Sequence, residues 1–417
     1  MDNINDIDQF LIENLECSSN DLSSININES LLSSKFNLIH QNIRSCRQNL
    51  DDFMGLLDTC KIKFQALMFS ETWFNSASMP SNISNFSGFH STRNDKVGGG
   101  VSIYIHTMFD ATEISSLNIN NDYLECVGVK VRIAHRNYNF ICVYKPPSAS
   151  IERFNNLFSD LICTLPRNDI NFIGGDFNID LIDPEPTNAT LSFKEIFSSN
   201  FYFPLINLPT RSTETRHSCI DHIYSNSVLP ISSGTLETLI SDHRAIFSTV
   251  PVDISSINDK FELKFRNHSD ENFVHFRDAL SKEIQHFHVY DEFSVDDRTS
   301  IFNNIVKRVY DTSFPIMTKH ITHKRLLSPW ITDDLKKRID YKHKLYYRSN
   351  GNPVLFDIYK EYSKELKKII KTAKRTYYKR KFDYNSNNMQ NTWKTINSVL
   401  KTKFTKKTYS LNVDGQL

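Results

Sequence analysis

No two cysteines in this 417-residue chain are spaced Cys-x-x-Cys, and no apolar run approaches the length of a membrane-crossing helix. The seven cysteines are scattered and odd in number, which excludes a disulfide framework or a zinc module and predicts a reducing, intracellular setting. The opening "MDNINDIDQF" is acidic and leads into no apolar stretch, so neither a signal peptide nor a membrane anchor is expected and the chain reads as soluble. Lysine and arginine are absent from residues 1–34, and no internal repeat is present. What remains is a composition suited to a packed core, 39% hydrophobic and 12% aromatic, which excludes wholesale disorder.

A net charge of +1 conceals an uneven distribution. Residues 319–407 hold 24 Lys and Arg against 7 Asp and Glu, so the chain before them is strongly acidic. Residues 1–34 are expected to be a mobile acidic leader. From 35 to 255 short apolar runs of strand length ("FNLIH", "FQALMFSE", "GGGVSIYIH", "YLECVGVKVRI", "YNFICVYKPP", "NFIGGDF", "DHIYSN", "RAIFSTVPV") alternate with polar loops. Helix-length stretches with i, i+3, i+4 apolar spacing, "QNLDDFMGLLDTC" and "IERFNNLFSDLICTL", interrupt them. Many strands with few helices predict an α/β sandwich, two packed mixed sheets flanked by helices. Beyond about 260 strand signals fade. Residues 256–328 are expected to be a helical linker, and 329–417 a basic helical connector with "SNGNP" as the turn between two helices.

Most of the expected strands end in polar residues, where functional groups usually sit. Asn42 lies in "HQNIRS", Glu71 in "FSETW", Tyr144 in "VYKPP", Asp176 and Asn178 in "GGDFN", Asp221 and His222 in "IDHIY", Asp242 and His243 in "SDHRA". If strand geometry persists past "NFIGGDF", Asp176 and Asn178 face one side of the sheet and aim a carboxylate and a carboxamide at one point. Singly, each of these residues is more simply a turn, cap or core group; together they point to chemistry. Carboxylates without paired cysteines or clustered histidines make an oxygen-rich site that suits Mg²⁺, with Mn²⁺ as a substitute, rather than zinc. Glu71 is the expected principal ligand. Asp242 can fix the tautomer of the adjacent His243, Asp176 can orient or deprotonate a water, and Asn178 and Tyr144 can donate hydrogen bonds to a phosphate.

The order of these blocks resembles the endonuclease/exonuclease/phosphatase superfamily, the fold of apurinic endonucleases and deoxyribonuclease I. The wording "QNIRS", "SETWF", "GGGVSIYI", "YKPPS", "GGDFNIDL", "NLPTRST" and "SDHRAIF" is most similar to the endonuclease domain of non-LTR (LINE-like) retrotransposon polyproteins. The resemblance spans residues 36–252 and continues through "PWIT" and "TWKTINSVL" to Leu417 without a reverse transcriptase motif, as in a truncated element product or a host gene derived from one. Arg44 stands where apurinic endonucleases carry an Asp, a second metal ligand, so abasic-site specificity is not implied. The second His of the deoxyribonuclease branch is not evident in "FICVYKPPSAS".

The resemblance implies a four-layer α/β sandwich followed by a basic helical segment, acting as a Mg²⁺-dependent nuclear endonuclease that nicks one DNA strand and leaves a 3′-hydroxyl. Under it Glu71, Asn42 and Asp242 hold the metal and Asp176 positions the attacking water. Asn178, Tyr144 and His243 bind the scissile phosphate, with Asp242 orienting His243. Asp221 tunes the site, and Thr210, Arg211 and Asp221 lie toward the DNA. The base is Asp176 or His243. Residues 181–200 are expected to be a loop governing target choice. The basic segment is expected to bind DNA or element RNA without sequence preference, its removal leaving the chemistry intact. Two further readings stay open, a phosphoinositide or nucleotide phosphatase and a catalytically idle nucleic-acid-binding protein.

Overall fold

The structure, a computed structural model, describes residues 12–17, 35–60, 62–75, 80, 82–93, 98–133, 135–213, 216–229, 231–254, 260–322, 329–385 and 389–400. They fall into two compact units, Ser256–Arg325 and the remainder of the chain.

Two mixed sheets build the larger unit. The first runs β1 (Ile12–Cys17), β15 (Ile231–Leu236), β16 (Ala245–Asp253), β2 (Lys35–Asn42), β3 (Ala66–Ser70), β5 (Val101–His106), β4 (Phe86–Ser91). The second runs β11 (Phe203–Pro204), β14 (Asp221–Ser225), β10 (Ile170–Asp176), β9 (Arg136–Tyr144), β8 (Glu125–Ile133), β6 (Ala111–Glu113), with β7 (Ile119–Asn120) also on β8. Strands β2 and β3, β9 and β10, and β1 and β15 pair in parallel. A small antiparallel pair, β12 (Arg211–Ser212) and β13 (His217–Ser218), lies apart from both.

Period-two alternation sorts the side chains into layers. Ile39, Leu67, Phe69 and Phe247 join the cluster formed with Leu50, Phe53 and Leu57 of helix α1 (Cys46–Thr59). Ile141, Val143, Ile173 and Tyr224 pack with Phe154 and Phe158 of α2 (Ile151–Thr164) and Phe193 and Phe197 of α3 (Asn188–Ser199). The opposite parity meets between the sheets, where Phe36 stacks on Phe140 with centroids 5.1 Å apart. The expected sandwich of two mixed sheets flanked by helices is therefore the fold, and Asn42, Tyr144, Asp176 and Asp221 all share the inward parity.

Several expectations need correction. Within the expected leader, Ile12–Cys17 is a strand on β15, while residues 1–11 and 18–34 lie outside the described residues. Strands β4 ("FSGFHS") and β15 ("ISSGTL") escaped a search for apolar runs because serine and glycine replace the β-branched residues. Residues 181–200 are not all loop. Helix α3 begins at Asn188, capped by Thr187, whose hydroxyl accepts from the Thr190 N–H, and it buries Phe193 and Phe197 one turn apart.

In the second unit β17 (Lys260–Arg266) and β18 (Ile316–Thr322) form an antiparallel pair, joined through α4 (Asp270–Gln285) and α5 (Val295–Ser313). Ser269 and Ser294 cap the helices. The strand pair was missed in sequence although "KFELKFR" alternates charged and apolar residues.

The basic segment folds as α6 (Asp333–Arg348), a turn through Gly351 at φ 74°, α7 (Pro353–Asn385) and α8 (Met389–Leu400). Trp330, Ile331, Leu335, Ile339, Leu366 and Ile370 form its core. Helices α6 and α7 rest on α1. A Cβ added to Gly55 would lie 2.7 Å from Ile339, Lys342 donates to Asp52 at 3.0 Å with both side chains buried, and Lys374 donates to Asp51 at 2.8 Å. This segment belongs to the same compact unit as the sandwich, held by the Ile339 contact and by the lysines Lys342, Lys367 and Lys374, which bond to α1.

Candidate active site

Strand register brings the polar strand ends together. Parallel pairing aligns Asp176 with Tyr144, and antiparallel pairing aligns Asp176 with Asp221 on its other side. A side chain at Gly175 would put Cβ 1.8 Å from the Val143 carbonyl, so only glycine permits this approach of β10 to β9. Across the sandwich β2 and β3 end level at Asn42 and Ser70, one residue before Glu71. Asn42 links the sheets: its Nδ2 donates to Glu71 Oε1 at 2.9 Å and to Asp176 Oδ2 at 2.8 Å. The Tyr144 hydroxyl approaches the same Glu71 oxygen at 3.4 Å.

The loops around this point are strained. Arg44, Ser45, Glu71, Trp73 and Asn178 all hold left-handed φ angles between 42° and 84° without being glycine. Backbone bonds from Ser45 N to Glu71 O at 2.8 Å and from Trp73 N to Gly99 O at 2.9 Å fasten these conformations. Asn178 departs from expectation for this reason. The strand ends at Asp176, the Asn178 N–H turns back to Asp176 Oδ1 at 3.0 Å, and its amide donates to the Lys145 carbonyl at 2.9 Å, so it does not share a face with Asp176 by strand alternation.

His243 is held by Asp221 and not by its neighbour Asp242. Its Nδ1 donates to Asp221 Oδ2 at 2.8 Å, whereas Asp242 lies 3.9 Å from Nε2. Burial alone would lower the His243 pKa, but the Asp221 carboxylate, with Asp176 and Asp242 behind it, raises it to about 9. Burial would raise Asp221, yet His243 and then His40 draw it below the usual carboxylate range. Asp176 is pushed up to about 7 by burial and by the nearby Asp221 charge. Tyr144 is also raised, by burial and by Glu71.

The pair sets a pH dependence. His243 has a folded pKa above its unfolded value of 6.5, so its stabilisation is complete below 6.5 and is lost as pH rises through about 9. In metal-free buffer, Asp221→Asn is expected to drop the imidazole pKa below 6.5, read by histidine NMR titration. A wild-type His243 that is neutral at pH 7.5 would show that Asp221 does not control it.

Other predicted residues lie elsewhere than expected. Asp242, 32% exposed, is gripped by two part-exposed guanidinium groups, Arg44 at 3.0 Å and Arg211 at 2.8 Å. Asp242 is therefore paired with two cations, contacts that its place in "SDHRA" did not predict. Thr210 is buried and its hydroxyl accepts the Ile220 and Asp221 N–H groups at 3.1 Å, and Asp221 is equally buried, so neither side chain reaches a DNA surface. His222 faces the α2–α3 side, its Nε2 donating to the Ile179 carbonyl, and burial lowers its pKa to about 4. Sequence reasoning missed Gln41, Ser241 and His40. Gln41 donates to the carbonyls of Asn42 and His243, Ser241 donates to Asn42 O at 2.7 Å, and His40 stands 3.9 Å behind Asp221. "HQN" and "SDH" held the signal only as neighbours of stronger candidates.

The donor set fits a divalent cation. Glu71 and Asp176, two carboxylates bridged by one amide, have Asp221 beside them, and the burial of Asp176 and Asp221 makes this concentration of negative charge costly. Among the described residues, Asp176, Asp221 and His243 are also close enough to share an ion, with donor atoms within 4.8 Å. A protonated His243 engaged with Asp221 is a poor ligand, which favours the Glu71–Asn42 side.

The family model described as "Endonuclease/Exonuclease/phosphatase family" matches residues 24–243, more than half of the chain. No curated protein matches the sequence. Similar solved structures include the endonuclease domain of TRAS1, a telomere-specific non-LTR retrotransposon, at 14% identity and TM-score 0.42, covering 52% of this chain and 98% of that one. A 3′ phosphatase, NExo, from Neisseria bound to a product DNA hairpin is similar at 13% identity and TM-score 0.41, covering 51% and 98%. The AP endonuclease LMAP from Leishmania major is similar at 10% identity and TM-score 0.40, covering 59% and 95%. On the extent of the family match, the chain belongs to the endonuclease/exonuclease/phosphatase family.

Proposed function

We propose that this chain is a divalent-metal-dependent endonuclease of non-LTR retrotransposon descent that nicks one strand of DNA and leaves a 3′-hydroxyl. The observation that carries the reading is the meeting of Asn42, Glu71, Tyr144, Asp176 and the Asp221–His243 pair at one point, with Arg44 and Arg211 on its rim. Glu71 and Asn42 would hold Mg²⁺, or Mn²⁺ in its place, which when bound neutralises charge developing on the phosphate. His243, protonated at neutral pH, donates to a phosphoryl oxygen. Asp176, near 7, takes the proton of the attacking water, so of the two candidate bases it is the better matched. Tyr144 donates a further hydrogen bond. The basic helices would add affinity for DNA or element RNA, and a genomic DNA substrate would require the enzyme to act in the nucleus. Among the described residues no helix is long and apolar enough to cross a membrane.

Supercoiled plasmid is expected to be nicked with Mg²⁺ or Mn²⁺ and left intact with excess chelator. The nicked product should prime a DNA polymerase directly, as a 3′-hydroxyl requires. Undiminished nicking in chelator overturns the metal assignment. Phosphate release from inositol lipids without nicking assigns a phosphatase, and binding without either reaction assigns a nucleic-acid-binding protein.

A further inference from the structure

A groove of about 1030 Å³ runs along α7, closed on one side by the Pro329–Thr332 turn. Its apolar floor includes Trp330, Ile369 and Tyr377, and Trp330 is itself wedged between Lys374, 4.7 Å above its ring, and Tyr378. Lys368, Arg380 and Lys381 line the walls against a single acid, Glu365. Tyr384 closes the far end and is 90% exposed, which is unusual for so large a ring.

Charge pairing within the fold does not account for these cations. Lys367 and Lys374 on α7 are committed to Asn49 and Asp51 of α1, but Lys368, Lys371, Arg375, Lys379 and Arg380 point to solvent. From Leu366 to Asn385 there are eight Lys and Arg and one acid, Asp383. A solvated helix face needs cations but no aromatic floor, and a protein-docking groove needs an apolar floor but not a one-sign rim. The two together match a polyanion that carries flat apolar groups. A duplex hides its bases, so it would use the rim and leave the rings idle. Lys368 to Tyr384 spans about 24 Å at the helical rise, room for several nucleotides.

We propose that this groove binds single-stranded nucleic acid, its bases stacking on Tyr377 and Tyr384 and its phosphates contacting Lys368, Arg380 and Lys381. The site builds on the reading of the chain as a nucleic-acid enzyme but uses none of the residues of the hydrolytic centre.

The test uses the full chain in chelator with fluorescent dT15, rU15 and a 15-base-pair duplex. Tyr384→Ala is expected to weaken dT15 or rU15 roughly fivefold or more while leaving duplex affinity and melting temperature unchanged. The triple variant K368A/R380A/K381A is expected to lower the slope of log affinity against log salt by about 2, from roughly 0.7 per lost phosphate contact. The strand that binds more tightly in the wild type and loses affinity in both variants names the occupant as DNA or RNA. Equal losses for duplex and single strand in Tyr384→Ala, or unchanged single-strand binding by that variant, overturn the proposal. Plasmid nicking with Mg²⁺ by the same variants keeps the two readings apart: nicking retained with oligonucleotide binding lost supports the groove, and a wild type that binds through the groove but never nicks sinks only the hydrolytic reading.

Discussion

Glu71→Ala, Asp176→Asn and His243→Ala are each expected to slow plasmid nicking on the order of a hundredfold or more, the usual consequence of removing one acid–base or electrostatic group. The three side chains reach the site from different sheets and loops and are joined through Asn42 and Asp221, so each removal deletes a separate contribution. Stability separates a chemical role from a structural one. The Asp176 folded pKa, about 7, lies above the unfolded 3.8, so the folded state disfavours the carboxylate, and stability contributed by this group falls as pH rises from 3.8 through 7. At neutral pH Asp176→Asn should therefore melt no lower than the wild type while losing activity. A group retained at a cost to folding is what a functional site looks like. Normal nicking by all three variants would place the chemistry elsewhere, and a large melting loss in Asp176→Asn with activity intact would make that residue a core hydrogen-bonding group.

Lys342→Ala is expected to destabilise the larger unit by on the order of 3–5 kcal/mol, because it leaves the Asp52 carboxylate buried without the ammonium group that bonds it. Lys342 and Asp52 lose their hydration on folding, and the 3.0 Å contact is what compensates. The effect should reach the site, since α1 starts at Cys46, whose N–H donates to Thr72 O beside Glu71. Denaturant unfolding followed by tryptophan fluorescence measures the first consequence, and nicking near the midpoint temperature measures the second. Replacing the pair together, Lys342→Met with Asp52→Leu, should recover most of the loss, because no charge is left buried. A change below about 1 kcal/mol in Lys342→Ala would mean that water reaches Asp52 and that α6 is only loosely seated. The same contact revises the expectation that the basic segment can be removed freely. A chain ending near residue 255 would expose the α1 surface now covered by Ile339 and Lys342, and its nicking would be lowered through stability even with every site residue present.

What the sequence determined by itself was local. Eight apolar runs became strands and two periodic stretches became α1 and α2, because period and apolar content are properties of neighbouring residues. The strand-end residues Asn42, Glu71, Tyr144, Asp176 and Asp221 were legible for the same reason, a polar residue where an apolar run stops. What only the tertiary structure decided was pairing. Asp242 is one residue from His243 and Asp221 is 22 away, yet Asp221 at the start of β14 bonds the ring at 2.8 Å while Asp242 stays 3.9 Å from it. Arg44 and Arg211 meet on Asp242, and Lys342 finds Asp52 across 290 residues, through sheet order and helix docking that no window of sequence contains. Thr210 was placed near DNA by its motif but is spent on the backbone of Asp221, a role set by two loops meeting. Local chemistry names the residues of such a site; the register of strands distant in sequence decides which of them touch.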